Sequence, residues 1–361
     1  MQTMHLVLPV GAFDWPDDAA AEAEFRARTS AVQTIMNQQN WSGVIIYGDI
    51  HDNGMLSYFS NFGARLSGAL MLIPGHGEPR LLSFDGGRMV PAGALTTWIE
   101  DVRAAGKVED ALNQWLDELP NRNRIASGGF DIMSAAVHDA VAAVTEIADA
   151  EDATPKLAAL ARKKTAAEIE AIKTACGLLK QVESAVADTH QAGASAADCA
   201  LAAEKIARNQ GAQDARTLFS VDRGRTFIPF QGLSEQSSTP LILYVAVRVR
   251  GYWADGFLTF PKAGSPAEQS LDAMVDAAKP GGSFVELRRN DHPPHPIIGD
   301  TPGCGIGCAL AEAPFLDQTG TLASGDVVSL KAGIGGDSCA VASAMVHITD
   351  QGHEILWRAG Q

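Results

Sequence analysis

Residues 241–250 (LILYVAVRVR) and 252–260 (YWADGFLTF) are two apolar runs, rich in β-branched and aromatic residues, separated by Gly251. They read as adjacent antiparallel strands joined at that glycine. Downstream, helical spacing is expected at about 267–278 and 283–289, then a glycine-rich segment (GCGIG, 303–307), then strands at 326–332 and 340–349. Upstream, Thr165 and Glu168 form a capping box, the hydroxyl and carboxylate satisfying free backbone donors at a helix start. The apolar positions of that helix are Ile169, Ile172, Ala175, Leu178 and Leu179, and a second helix is expected over about 196–209. Helices mixed with antiparallel strands predict an α+β second half.

The first half alternates differently. Strand-like runs at 41–48 (WSGVIIYG), 69–74 and 80–84 are interleaved with helical spacing at 108–119 and 135–144, which predicts an α/β sheet flanked by helices. A polar punctuator, EDATP at 151–155, marks the join, giving expected domains of 1–155 and 156–361. The length of 361 residues also favours two domains over one core.

A net charge of −15 repels phosphate backbones and speaks against nucleic acid as a partner. No run of 18 or more apolar residues is present, so no membrane span is expected. Five cysteines, an odd number, and an N-terminal stretch too sparsely basic for a leader predict reduced thiols and a cytoplasmic location.

Four segments carry a family resemblance. Residues 162–169 (RKKTAAEI) resemble an RKxxxEI opening, 251–255 (GYWAD) a GYxSD strand, and 303–307 (GCGIG) followed by Glu312, Ala313 and Pro314 a GHGIG…HExP pattern. Residues 58–62 (YFSNF) resemble the corresponding N-terminal domain. In this order and spacing the chain resembles the creatinase/prolidase family. That resemblance implies a creatinase-like N-terminal domain, a C-terminal pita-bread domain and homodimers in which Asn61 and Arg65 reach a neighbouring subunit's cavity. It also implies five ligand positions for two metal ions, normally two Asp, one His and two Glu. Carried over, those positions are Tyr244, Asp255, Cys304, Lys331 and Ser343; an assisting histidine falls on Ala311 and a substrate-side histidine on Phe230. Only Asp255 is retained.

One carboxylate, a thiol and an ammonium are not a donor set for hard divalent ions, so no metal and no cofactor are expected. Lys331 is read as replacing the cation's charge, paired with Asp255 because either charge alone is costly to bury. It would stabilise negative charge or anchor a substrate carboxylate. Cys304, beside an ammonium, is expected to have a lowered pKa and to act as nucleophile, or else to be a small buried filler. Asp255 is a general base or the orienting partner of Lys331, and Tyr244 a proton donor or an aromatic filling vacated space. Arg223 and Arg225 offer guanidinium forks for a carboxylate or are ordinary surface residues. Phe230 and Trp253 either make the cavity apolar or simply pack. His292 and His295 offer acid–base chemistry or form a plain turn. Cys308 is expected to share a strand face with Cys304, Glu312 is read as structural, and Ser343 completes the substrate-binding set.

Three activities compete. The first is metal-independent hydrolysis of a C–N bond in a small carboxylate-bearing metabolite, as creatinase and ectoine hydrolase imply by resemblance, or a lyase or isomerase reaction using Cys304, Lys331 and Asp255. The second is a binding pseudoenzyme. The third, a metallopeptidase with displaced ligands, is opposed by Lys331.

Overall fold

The computed structural model describes residues 19–64, 67–87, 90–229, 240–260, 265–288, 292–336 and 339–360. The chain divides into two compact units that meet in sequence between Ala161 and Arg162.

The first unit contains α1 (Ala19–Gln39), β1 (Gly43–Asp49), α2 (Gly54–Ser60), β2 (Gly68–Pro74), β3 (Arg80–Ser83), α3 (Val90–Ala94) and β4 (Asp101–Ala104). It continues with α4 (Val108–Asp117), β5 (Ile125–Gly128), α5 (Ala135–Ala142), α6 (Thr145–Ala148), β6 (Glu151–Asp152) and α7 (Thr154–Arg162), which runs to the boundary. Its six strands lie in the order β4-β3-β2-β1-β5-β6. The β1-β2-β3 meander is antiparallel, whereas β1/β5, β5/β6 and β3/β4 are parallel. β1 and β2 are buried along almost their whole length, which is why they read as unbroken apolar runs. α1 was not anticipated. Its buried residues Phe25, Val32 and Met36 are diluted by alanine and polar residues, so its apolar stripe is faint.

The second unit contains α8 (Ala166–Gln191), α9 (Ala196–Asn209), β7 (Asp214–Ser220), β8 (Ile228–Pro229), β9 (Leu241–Val249), β10 (Tyr252–Phe260), α10 (Pro266–Ala277) and α11 (Phe284–Leu287). Then follow β11 (Gly303–Gly305), β12 (Glu312–Phe315), β13 (Val327–Ile334), β14 (Ala340–Thr349) and β15 (Gly352–Arg358). Two antiparallel sheets result, β10-β9-β7-β8 and β12-β11-β13-β14-β15. The capping box of α8 is formed in both directions, Thr165 Oγ1 accepting from Glu168 N–H and the Glu168 carboxylate from Thr165 N–H. β9 and β10 are joined by a two-residue turn, Arg250–Gly251, with φ of 51° and 83°. Both residues being left-handed matches a type I′ hairpin and explains the glycine. α8 and α9 pack on the first sheet, and α10 on β13 and β14.

The motif residues tie this unit together. Arg162 makes two hydrogen bonds of 2.7 Å to the buried Asp326 carboxylate. Lys164, almost fully buried, pairs with Glu312. Gly303 sits where a Cβ would lie 1.8 Å from the Ser329 carbonyl oxygen, so no larger residue fits between β11 and β13. Cys308 lies beyond the end of β11, so it does not share a strand face with Cys304 as expected.

Candidate active site

The two sheets of the second unit meet where β10 packs against β14, and there Ser343 Oγ accepts the Phe257 backbone N–H at 2.7 Å. Pleat and register determine what gathers at this seam. Asp255 is opposite Ala246 on β9, Phe257 is opposite Tyr244, and Trp253 is opposite Arg248, so these six side chains share one sheet face. On the other sheet Lys331 is opposite Ser343, and Cys304 is opposite Ser329.

Asp255 is completely buried. Its Oδ2 accepts two hydrogen bonds of 2.7 Å, one from the Tyr244 hydroxyl and one from the Lys331 ammonium. Its Oδ1 has no hydrogen-bond partner among the described residues. Lys331 also lies over the Tyr244 ring, 5.4 Å from its centroid. Burial works against the lysine's charge, but the Asp255 carboxylate outweighs it and holds the pKa above the ordinary value. Burial, reinforced by Asp255, pushes Tyr244 well above its ordinary value, so the phenol keeps its proton. The Lys331 side chain remains 19% exposed, whereas Asp255 is completely buried.

The expectation of a lowered Cys304 pKa is corrected. Burial raises it; Lys331 pulls it down, but the Asp255 and Glu312 carboxylates push it back up, and the net position is above an ordinary thiol. The pull of the ammonium is outweighed by burial together with the two carboxylates. The remaining expected residues are placed as follows. Ser343 is buried beneath the Phe257 amide and acts as a fastener between sheets. Trp253 is buried under the guanidinium groups of Arg216 and Arg248, at 4.8 and 5.9 Å. Arg223 and Arg225 are exposed on a turn braced by Asp222, and Arg225 donates to the Gly336 carbonyl rather than toward Asp255. His295 is buried, its Nδ1 accepting from the backbone N–H groups of Ile297 and Ile298, while His292 is exposed. Phe230 and Arg65 lie outside the described residues. Asn61 is the left-handed C-cap of α2. Arg216 was missed; its signal was the alternation Asp214–Arg216–Leu218 on a strand too polar at its start to read as one.

This two-sheet arrangement, with its preceding mixed-sheet unit, matches solved structures over nearly the whole chain. The prolidase from Pyrococcus horikoshii OT3 superposes with a TM-score of 0.75 at 16% identity, covering 93% of this chain and 99% of that one. The X-Pro aminopeptidase from Thermotoga maritima MSB8 gives 0.71 at 17% identity, covering 91% and 97%. The dipeptidase PepE from Mycobacterium ulcerans gives 0.69 at 19%, covering 96% and 97%.

The fold is the creatinase/prolidase pita-bread fold.

No protein-family model and no curated protein matches the sequence. Within the pita-bread frame, the five positions carried over as metal ligands are drawn together at one seam, but their chemistry does not fit a metal pair. The single carboxylate is occupied on Oδ2 by a phenol and an ammonium, and an ammonium opposes a second cation directly. Among the described residues no group of three or more His, Cys, Asp or Glu is spaced to hold a metal ion.

Proposed function

We propose that this chain is a cytoplasmic, homodimeric hydrolase of C–N bonds that acts without a metal ion on a small, carboxylate-bearing molecule. The observation that carries this reading is the Lys331 ammonium held at 2.7 Å by a fully buried carboxylate at the seam. A fixed positive charge in a confined setting stabilises the oxyanion that develops when a carbonyl is attacked. Asp255 would be a positioning residue that keeps Lys331 charged and aimed. Tyr244 would hold the carboxylate from its other side. Two routes to hydrolysis are open to this cluster. In one, the Cys304 sulfur bonds to the carbonyl carbon, the C–N bond breaks, the thiol proton leaves with the amine, and water then cleaves the thioester. In the other, water attacks directly beside Lys331. The raised thiol pKa disfavours the first of these routes, because a thiolate is scarce at neutral pH; the second reading of the cluster is ligand binding without chemistry.

The test is amine release from a panel of N-acyl amino acids and Xaa-Pro dipeptides, with chelator and with added manganese, cobalt or zinc. Expected are turnover insensitive to chelator, a loss of about a hundredfold or more in kcat for Lys331→Met, and partial retention in Lys331→Arg. Turnover that appears only with added metal overturns the proposal. Tight binding of a panel member with no turnover decides for the binding reading, and Cys304→Ala separates the two hydrolytic routes.

A further inference from the structure

On the first sheet of the second unit, Arg216 of β7 is in register with Ala246 of β9, which is in register with Asp255 of β10. Arg216 therefore shares a rung and a face with Asp255, two strand spacings or roughly 10 Å away. The residue between them is alanine, so the arginine side chain can lie across it. It does so: its guanidinium reaches the Trp253 ring at 4.8 Å. Its Nε donates to Asp214 at 3.2 Å, and its two terminal nitrogens have no hydrogen-bond partner among the described residues. The side chain is 46% exposed. Its charge is felt at the Tyr244 hydroxyl, where it partly offsets the effects of burial and of Asp255. A guanidinium over a buried indole and braced at Nε keeps its two terminal nitrogens for another partner, and such a fork matches a planar carboxylate.

The geometry points to Arg216 as the specificity-determining residue that binds the substrate's carboxylate, leaving Lys331 for the reacting carbonyl. This rests on the proposed function at the seam and divides the labour between two cations. It also names the substrate class: molecules whose carboxylate and scissile bond are separated by a few bonds, as in an N-acyl amino acid, so that one end meets Arg216 while the other meets Lys331. The Asp214 carboxylate on Nε also pairs with Arg208, and Arg248 lies over the same Trp253 ring, so the positive charge here is only partly offset and a ligand's carboxylate would give the terminal nitrogens a partner.

The experiment titrates N-acetyl-alanine and N-acetyl-proline, each beside its neutral carboxamide, into wild type, Arg216→Met, Arg216→Lys and Lys331→Met, with binding read by calorimetry. Expected is a wild-type preference for the carboxylate of roughly tenfold to a hundredfold, lost in Arg216→Met, partly kept in Arg216→Lys, and kept in Lys331→Met with overall weaker binding. A preference that survives Arg216→Met sinks this inference and leaves the proposed function standing. A preference lost only in Lys331→Met assigns the carboxylate to Lys331 instead. Binding of neither ligand class to wild type overturns both the inference and the reading on which it rests.

Discussion

Asp255 and Lys331 are each other's justification. Removing one charge leaves the other buried and uncompensated, which costs about 3–5 kcal/mol. Lys331→Met should therefore lower the urea midpoint sharply at unchanged m-value, and Lys331→Met/Asp255→Asn should recover part of the loss; a double variant no more stable than the single would contradict the pairing. Cys304 makes a separate prediction. With its thiol above the ordinary value, alkylation should be slow at pH 7 and still rising above pH 9. Asp255→Asn removes an influence that raises the pKa and should shift the rate profile to lower pH; a wild-type plateau reached below pH 7 would refute the assignment. His295 reports on pH differently. Burial holds its pKa below the ordinary 6.5, against a weaker opposing influence of the Gly224 backbone, and Nδ1 already accepts two backbone donors. The folded state binds this proton less readily than the unfolded chain, so the contribution to stability is full above about pH 6.5 and is lost as pH falls through it. His295→Asn, which can accept the same backbone bonds but cannot be protonated, should flatten stability between pH 6.5 and 5 relative to wild type, as read by denaturant midpoints across that range.

At the scale of elements, the seam depends on β10 and β14 being held in fixed relation. Ser343 supplies the hydrogen bond that does this, from a buried hydroxyl to a buried amide. Ser343→Ala leaves the Phe257 N–H unsatisfied and should cost about 1–3 kcal/mol, whereas Ser343→Thr, which keeps the hydroxyl, would crowd Gly256 and the Trp357 ring packed on it. Recovery of full stability in Ser343→Ala, measured by thermal and chemical unfolding, would show that the sheets are fastened elsewhere. The helices α8 and α9 both begin with reciprocal capping boxes, Thr165/Glu168 and Ser195/Asp198. These were the most readable element boundaries in the chain, because the hydrogen bonds that define them span three residues and need no tertiary partner. The strands β7 and β15 were not readable in that way. β7 begins with Asp214 and Arg216 on the face that later serves the site, and their polarity hides the strand.

For the molecule as a whole, the lack of a fitting donor set among the described residues predicts that added manganese, cobalt or zinc leaves the melting temperature unchanged; a concentration-dependent rise would mean that the native state binds metal. The sequence by itself determined the two-part organisation and the antiparallel hairpin of β9 and β10. Pleat alternation and turn chemistry are local properties that survive without a tertiary context, whereas the pairing of Asp255 with Lys331 was implied by the family resemblance and not by local pattern. Tertiary structure alone decided the state of the groups at the seam. Whether the Cys304 thiol is lowered or raised depends on the balance between burial, one ammonium and two carboxylates, which no spacing encodes. That Arg216 joins this face follows from strand register across Ala246, and that Ser343 and His295 serve as backbone acceptors follows from where the chain folds back upon them. Electrostatic sums and cross-strand register arise only when residues distant in sequence are brought within a few ångströms of one another.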